Sequence, residues 1–182
     1  MLGIVFTEFL EMVEAKFDLE TVDSILDEAS VSNDGAYTAV GTYNHEEIVD
    51  LVKALSQRTG IPVDHLIQTF GQYLAGRFAK LYPEFFKGLS DPFEFLDSVG
   101  SYIHREVKKL YPNAQLPSIT TEALDASTLA VDYRSHRSFG KLAEGLIMGA
   151  MAHFNCEATI EMQQPVLGDA SNVRFIVRKA NP

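Results

Sequence analysis

DYRSHRSFG, residues 132–140, is the stretch that decides how the chain is read. Tyr133, Ser135 and Arg137 fall two residues apart. In an extended chain, positions i, i+2 and i+4 leave from one face. That face would present two hydroxyls and a guanidinium, with no carboxylate of its own. Asp132, Arg134 and His136 would point the other way. Arginine is a bidentate partner for carboxylate or phosphate, and hydroxyls add fixed donors. The row reads either as an anion clamp or as the solvent face of a half-buried strand.

The surroundings place this row at the junction of a strand and a helix. Residues 116–121 and 128–133 read as extended. Residues 138–155 read as helical, with Leu142, Leu146, Met148, Met151 and Phe154 apolar. In that helix Gly140, Gly145 and Gly149 lie about one turn apart, a spacing that lets another surface approach the backbone. Residues 158–162 and 173–177 are the remaining candidate strands.

Everything before residue 111 reads as helix and turn. Leu2, Val5, Phe6, Phe9, Leu10, Val13 and Phe17 recur at steps of three and four. Leu19, Val22, Ile25 and Leu26 repeat the pattern. Asn44 is a helix cap, with Glu47 three residues on in near capping-box spacing. Gly60 and Pro62 separate that helix from the next, which holds Leu66, Ile67, Phe70, Leu74 and Phe78. Asp91-Pro92 opens a further helix running to about Leu110. Helices first, then strand–strand–helix–strand–strand, predict an α+β fold with an antiparallel sheet. The 182 residues suit one domain over 1–182. Within it, a helical N-terminal part of about 1–62 precedes a part of about 63–182 that holds the sheet.

Composition narrows the function. Lysine and arginine number 15 against 25 acidic residues, a net charge of −10. Such a chain repels nucleic acid and anionic membranes, so neither is an expected partner. Cys156 is the single cysteine, which permits no internal disulfide and favours a reducing compartment. The opening MLGIVFTEFLEMVEAKF is apolar but carries Glu8, Glu11 and Glu14, unlike a signal peptide. A cytoplasmic location is expected.

Motifs for common chemistries are missing. The sequence has no Gly-rich phosphate loop, CxxC, HExxH or Gly-x-Ser-x-Gly. CxxCH is absent too, which excludes covalent haem attachment. No enzymatic activity is expected. His104 is the informative histidine. It borders the stripe Phe93, Leu96, Gly100, Ile103, Val107 and Leu110, one turn after Gly100. Imidazole at the edge of an apolar face can reach into a cavity and ligate iron. It can equally be a half-exposed histidine satisfied by water.

Together these signals are more specific. A histidine on a helix, about thirty residues later Tyr-x-Ser-x-Arg at a strand end, then a Gly-rich helix, resembles the haem–nitric oxide/oxygen-binding (H-NOX) domain family, in particular its stand-alone bacterial members. Met1-x-Gly3, Phe70-Gly71 and Pro117 also look like the family, and the resemblance covers essentially the whole chain.

The resemblance implies non-covalent haem b, buried between the helical N-terminal part and the rest. His104 would be the proximal iron ligand. Tyr133, Ser135 and Arg137 would bind the two propionates. Val5, Phe9, Ile67, Leu74, Leu142 and Leu146 would line the apolar slot, and Pro117 would press on the haem. Oxygen-binding members carry a distal tyrosine five residues after the motif arginine; here that position is Leu142, and Ile67 and Leu74 offer no donor either. The zinc-binding cysteine cluster of some relatives is not expected with Cys156 alone. The implied function is a cytoplasmic ferrous-haem sensor that binds nitric oxide and carbon monoxide. It would signal to a separate effector, a histidine kinase or a cyclic-di-GMP enzyme. The rival is a binding module for another apolar anion, such as a fatty acid or another tetrapyrrole. Haem peroxidase chemistry would want a polar distal pair, which Leu142, Ile67 and Leu74 do not supply.

Overall fold

The computed structural model describes residues 1–163 and 171–180. The chain divides into two compact units, Met1–Phe70 and Gly71–Pro182.

The N-terminal unit is helical. Helices α1 (Gly3–Lys16), α2 (Leu19–Glu28) and α3 (His45–Thr59) are followed by α4 (Val63–Leu81), inside which the division falls. The period of three and four buries Phe6, Phe9, Val13, Val22, Ile25, Ile48, Leu51 and Leu55 in one core. Phe9 meets Phe70 edge-on at 5.2 Å. Two apolar residues of the expected stripes stay outside: Phe17 and Leu19 flank the α1–α2 turn, where the chain reverses and neither helix offers them a face. Asp18 caps α2 by accepting from the Thr21 backbone and hydroxyl, both at 2.7 Å. The unit carries the whole net charge of the chain. Its only lysines and arginines are Lys16, Lys53 and Arg58, whereas acidic and basic residues balance over 71–182.

The Asn44 cap holds, accepting from the Glu46 backbone at 3.2 Å. Glu47 does more than complete a capping box. Its carboxylate accepts from the Tyr37 hydroxyl at 2.8 Å, from the Ser32 backbone and hydroxyl, and from the Asn44 backbone N–H. Burial pushes this carboxyl up, but the hydrogen bonds outweigh burial and hold it below the usual range. Glu47→Ala is expected to lower unfolding free energy by about 2–3 kcal/mol, because several donors lose a charged acceptor at once. The contribution should be full above the unfolded-state value near 4.5 and fade as pH falls below it. Urea unfolding at pH 7 and at acidic pH tests this; equal midpoints for variant and parent at pH 7 would refute it.

The second unit begins with the rest of α4. Next come α5 (Pro92–Ser98), a π-helical segment (Val99–Ile103) and α6 (His104–Leu110), which follow without interruption. Strands β1 (Ser118–Ala123) and β2 (Thr128–Arg134), helix α7 (Gly140–His153) and strands β3 (Ala158–Gln163) and β4 (Asn172–Lys179) complete it. The sheet order is β1-β2-β4-β3 and every pairing is antiparallel, as the sequence pattern predicts for an α+β fold. Leu129, Val131 and Tyr133 of β2 and Val173, Phe175 and Val177 of β4 alternate onto one face. That face packs with Phe95 and Leu96 of α5 and Ala143, Ile147, Ala150 and Met151 of α7. The small residues of α7 do admit a close neighbour, and that neighbour is α4. A Cβ on Gly71 would lie 2.4 Å from the Leu142 carbonyl oxygen and 2.9 Å from the Gly145 Cα.

The helix expected over 91–110 exists but is not uniform. Asp91 caps it, accepting from the Phe93 backbone at 2.8 Å. The π turn at Val99–Ile103 then shifts the register. Leu110, the last member of the apolar stripe read from the sequence, is consequently 76% exposed.

Candidate functional site

His104 is the first residue after the π segment, and its backbone N–H donates to the Val99 carbonyl five residues back. Gly100 lies inside the irregular turn. A Cβ there would lie 2.0 Å from the Ile119 carbonyl oxygen, so β1 runs against the helix backbone. Thr121 of the same strand donates to Asp97. The His104 ring is half-buried. Burial pulls its pKa down while the Pro117 backbone carbonyl opposes the change, and the net shift is downward. The ring is therefore neutral at pH 7, the form in which imidazole ligates metals. Its Nδ1 is buried and has no hydrogen-bond partner.

The row of donors is assembled differently from the sequence reading. Tyr133 is on β2, 5% exposed, opposite Ile119 and Val173. The strand ends at Arg134, so Ser135 and Arg137 do not continue its alternation. The Ser135 hydroxyl oxygen accepts from the Arg137 backbone N–H at 3.2 Å, and such local bonds compete with a strand ladder. Ser138 then takes a left-handed conformation, φ 54°, leading into α7. The turn nevertheless gathers the three side chains. The Tyr133 hydroxyl is in hydrogen-bonding reach of the Ser135 side chain and the Phe139 backbone N–H, with the Arg137 charge nearby. Burial pushes the Tyr133 phenol up despite these contacts, so it stays a neutral donor.

Arg137 donates from Nη1 to the Gln115 carbonyl at 2.8 Å and from Nη2 to Gln115 Oε1 at 3.3 Å. Its Nε is buried without a partner. Among the described residues, His104 Nδ1 and Arg137 Nε are the two buried side-chain polar atoms left unsatisfied. Natural proteins rarely leave such atoms unpaired without a functional reason. A group presenting a carboxylate to one and suited to an imidazole at the other fits both residues.

Of the apolar residues expected around the group, Leu74 of α4 is buried, and Leu142 and Leu146 of α7 are half-buried with Pro117. Val5, Phe9 and Ile67 belong to the N-terminal unit. There Phe9 is fully buried, and Val5 and Ile67 are half-buried. The sequence reading missed Gln115. Its contacts to Arg137 span 22 residues and one of them is made by the main chain, so no residue-type signal announces it. No helix among the described residues is long and apolar enough to cross a membrane.

The chain belongs to the haem-NO-binding family, whose model matches residues 2–162. It is similar to the H-NOX protein of K. algicida, solved as unliganded Fe(II), at 36% identity and TM-score 0.92, covering 100% of this chain and 98% of that one. The S. oneidensis H-NOX protein in its Fe(II)NO state matches at 27% identity and TM-score 0.92, with 100% of both chains covered. The Shewanella woodyi H-NOX in its Fe(II)CO state, bound to IWP-051, matches at 36% identity and TM-score 0.85, covering 99% of this chain and 95% of that one. No curated protein matches the chain.

Proposed function

We propose that this chain holds haem b non-covalently and serves as a cytoplasmic sensor of nitric oxide, passing its signal to a separate effector protein. The observation that carries this reading is the pair of buried, unsatisfied atoms on His104 and Arg137. Haem, when bound, supplies the ferrous iron that nitric oxide and carbon monoxide coordinate. His104 would ligate that iron. Tyr133, Ser135 and Arg137 would hold the propionates, Leu74, Leu142 and Leu146 would exclude water, and Pro117 would bear on the porphyrin. By the family resemblance, Val5, Phe9 and Ile67 are proposed as further haem contacts. The effector is proposed to be a histidine kinase or a cyclic-di-GMP enzyme. The acidity concentrated in residues 1–70 suits a partner with a basic face. An absorption spectrum of the purified, reduced protein before and after nitric oxide tests the reading. A strong Soret band that shifts with the gas supports it, and a protein that takes up no haem overturns it.

Within the clamp, Arg137→Ala should speed haem loss more than Ser135→Ala. A charge-assisted contact to a carboxylate is worth about 1.5–3 kcal/mol, against roughly 1 kcal/mol for a neutral hydroxyl. Haem transfer to an excess of a haem-binding apoprotein measures both rates. Equal rates would contradict the assigned order.

A further inference from the structure

A guanidinium has five N–H donors in a fixed planar fork. In Arg137, Nη1 and Nη2 both donate to one residue, Gln115, through its carbonyl and its side-chain oxygen. Those bonds grip the far end of the plane. The side edge carrying Nε is left buried and unpartnered. An arginine held only by its alkyl chain would swing among rotamers and lose them on binding, at an entropic cost that a fixed end avoids.

We propose that Gln115 is a positioning residue that orients Arg137 so that its Nε edge meets a carboxylate. This rests on the reading of Arg137 as a propionate clamp and adds what sets its aim. Gln115 is neutral, and that matters. A carboxylate at this place would hold the guanidinium as firmly but would compete with an incoming anion for its charge. Only Leu116 separates Gln115 from Pro117, whose carbonyl acts on the His104 ring. One short segment therefore touches the residue that grips the carboxylate and the residue proposed to hold iron.

The test uses the full chain loaded with haem and the same chain without it. Variants Gln115→Ala, Gln115→Glu, Arg137→Ala and the double variant Gln115→Glu/Arg137→Ala are compared. The readouts are the rate of haem transfer to an acceptor apoprotein and the melting temperature of the haem-free form. Gln115→Ala should speed haem loss about threefold, since the backbone bond to Arg137 remains. Gln115→Glu should speed it about tenfold or more, because the new charge competes for the guanidinium. The haem-free form of Gln115→Glu should melt no lower than the parent, since the added ion pair replaces a neutral hydrogen bond. The double variant should lose haem no faster than Arg137→Ala. If Arg137→Ala speeds haem loss but Gln115→Glu does not, Gln115 has no positioning role and the clamp stands. If Arg137→Ala itself changes nothing, the clamp reading fails and takes this inference with it. A Gln115→Glu effect that persists undiminished without Arg137, or that tracks a lowered melting temperature, also overturns the proposal.

Discussion

His104→Gly is expected to lose haem during purification and to regain it when millimolar imidazole is present. On the proposed reading haem has no covalent attachment, so the His104–iron bond, the propionate contacts and apolar burial would be all that hold the group. Even the outer-shell partners of metal ligands are worth tenfold to a hundredfold in affinity, so removing the ligand itself should cost roughly a hundredfold or more. The geometry favours rescue. His104 is half-buried with Nδ1 unsatisfied, so removing its ring leaves a pocket the size of free imidazole beside the Pro117 carbonyl. The helix itself should survive, since a glycine in a helix costs about 1 kcal/mol. Far-UV circular dichroism of the variant separates haem loss from unfolding. A variant with unchanged haem content and an unchanged ferrous spectrum would remove His104 from the proposal.

The second large effect concerns gas choice. The ferrous protein is expected to bind nitric oxide and carbon monoxide yet keep its unliganded spectrum in air. Dioxygen on ferrous iron carries partial negative charge, so it gains most from a nearby donor. A hydrogen bond to a charged acceptor is worth about 1.5–3 kcal/mol, or roughly tenfold to a hundredfold in affinity. Leu142 and Leu74 carry no donor, and Leu142 cannot easily be replaced in role by a shift of its backbone. Its carbonyl faces Gly71 at a distance that already leaves no room for a Cβ. Leu142→Tyr should move the protein toward dioxygen by up to that factor. Spectra of the reduced protein under air, before and after the substitution, are the measurement. A stable dioxygen spectrum in the unmutated protein would overturn the assignment of Leu142 to the gas side and leave the haem reading standing.

Much of this fold is legible because long periodic stretches admit one answer. The step pattern of α3 buries Ile48, Leu51, Val52 and Leu55, and that of α1 buries Phe6, Phe9 and Val13. What escapes is decided by contacts distant in sequence. The stripe keeps α-type steps of three and four through Gly100, so it gave no sign of the shift that leaves Leu110 in solvent. The two-residue spacing of Tyr133, Ser135 and Arg137 grouped side chains that the structure also gathers, but for a geometrically wrong reason. The chain turns after Arg134, and a serine-to-backbone bond does what a continued strand was expected to do. Glu47 was readable as half of a capping box but not as the acceptor for Tyr37 and Ser32, which lie across a turn whose path no local pattern sets.

A π turn holds one residue more than the α turn it replaces. Viewed as an edit to the chain, Val99–Ile103 is a single-residue insertion kept in the middle of a helix. Were this stretch to wind as a regular α-helix at its present length, everything after it would be rotated by about 100°. Every side chain of α6 would survive such a change, and His104 would still be on a helix, yet it would face elsewhere. The winding between the Asp91 cap and the histidine therefore constrains this protein as tightly as the histidine does. Substitutions along 99–103 are open to it only where they leave the wide turn in place, and a transplant of the His104 helix together with α5 to another scaffold must carry the extra residue with it.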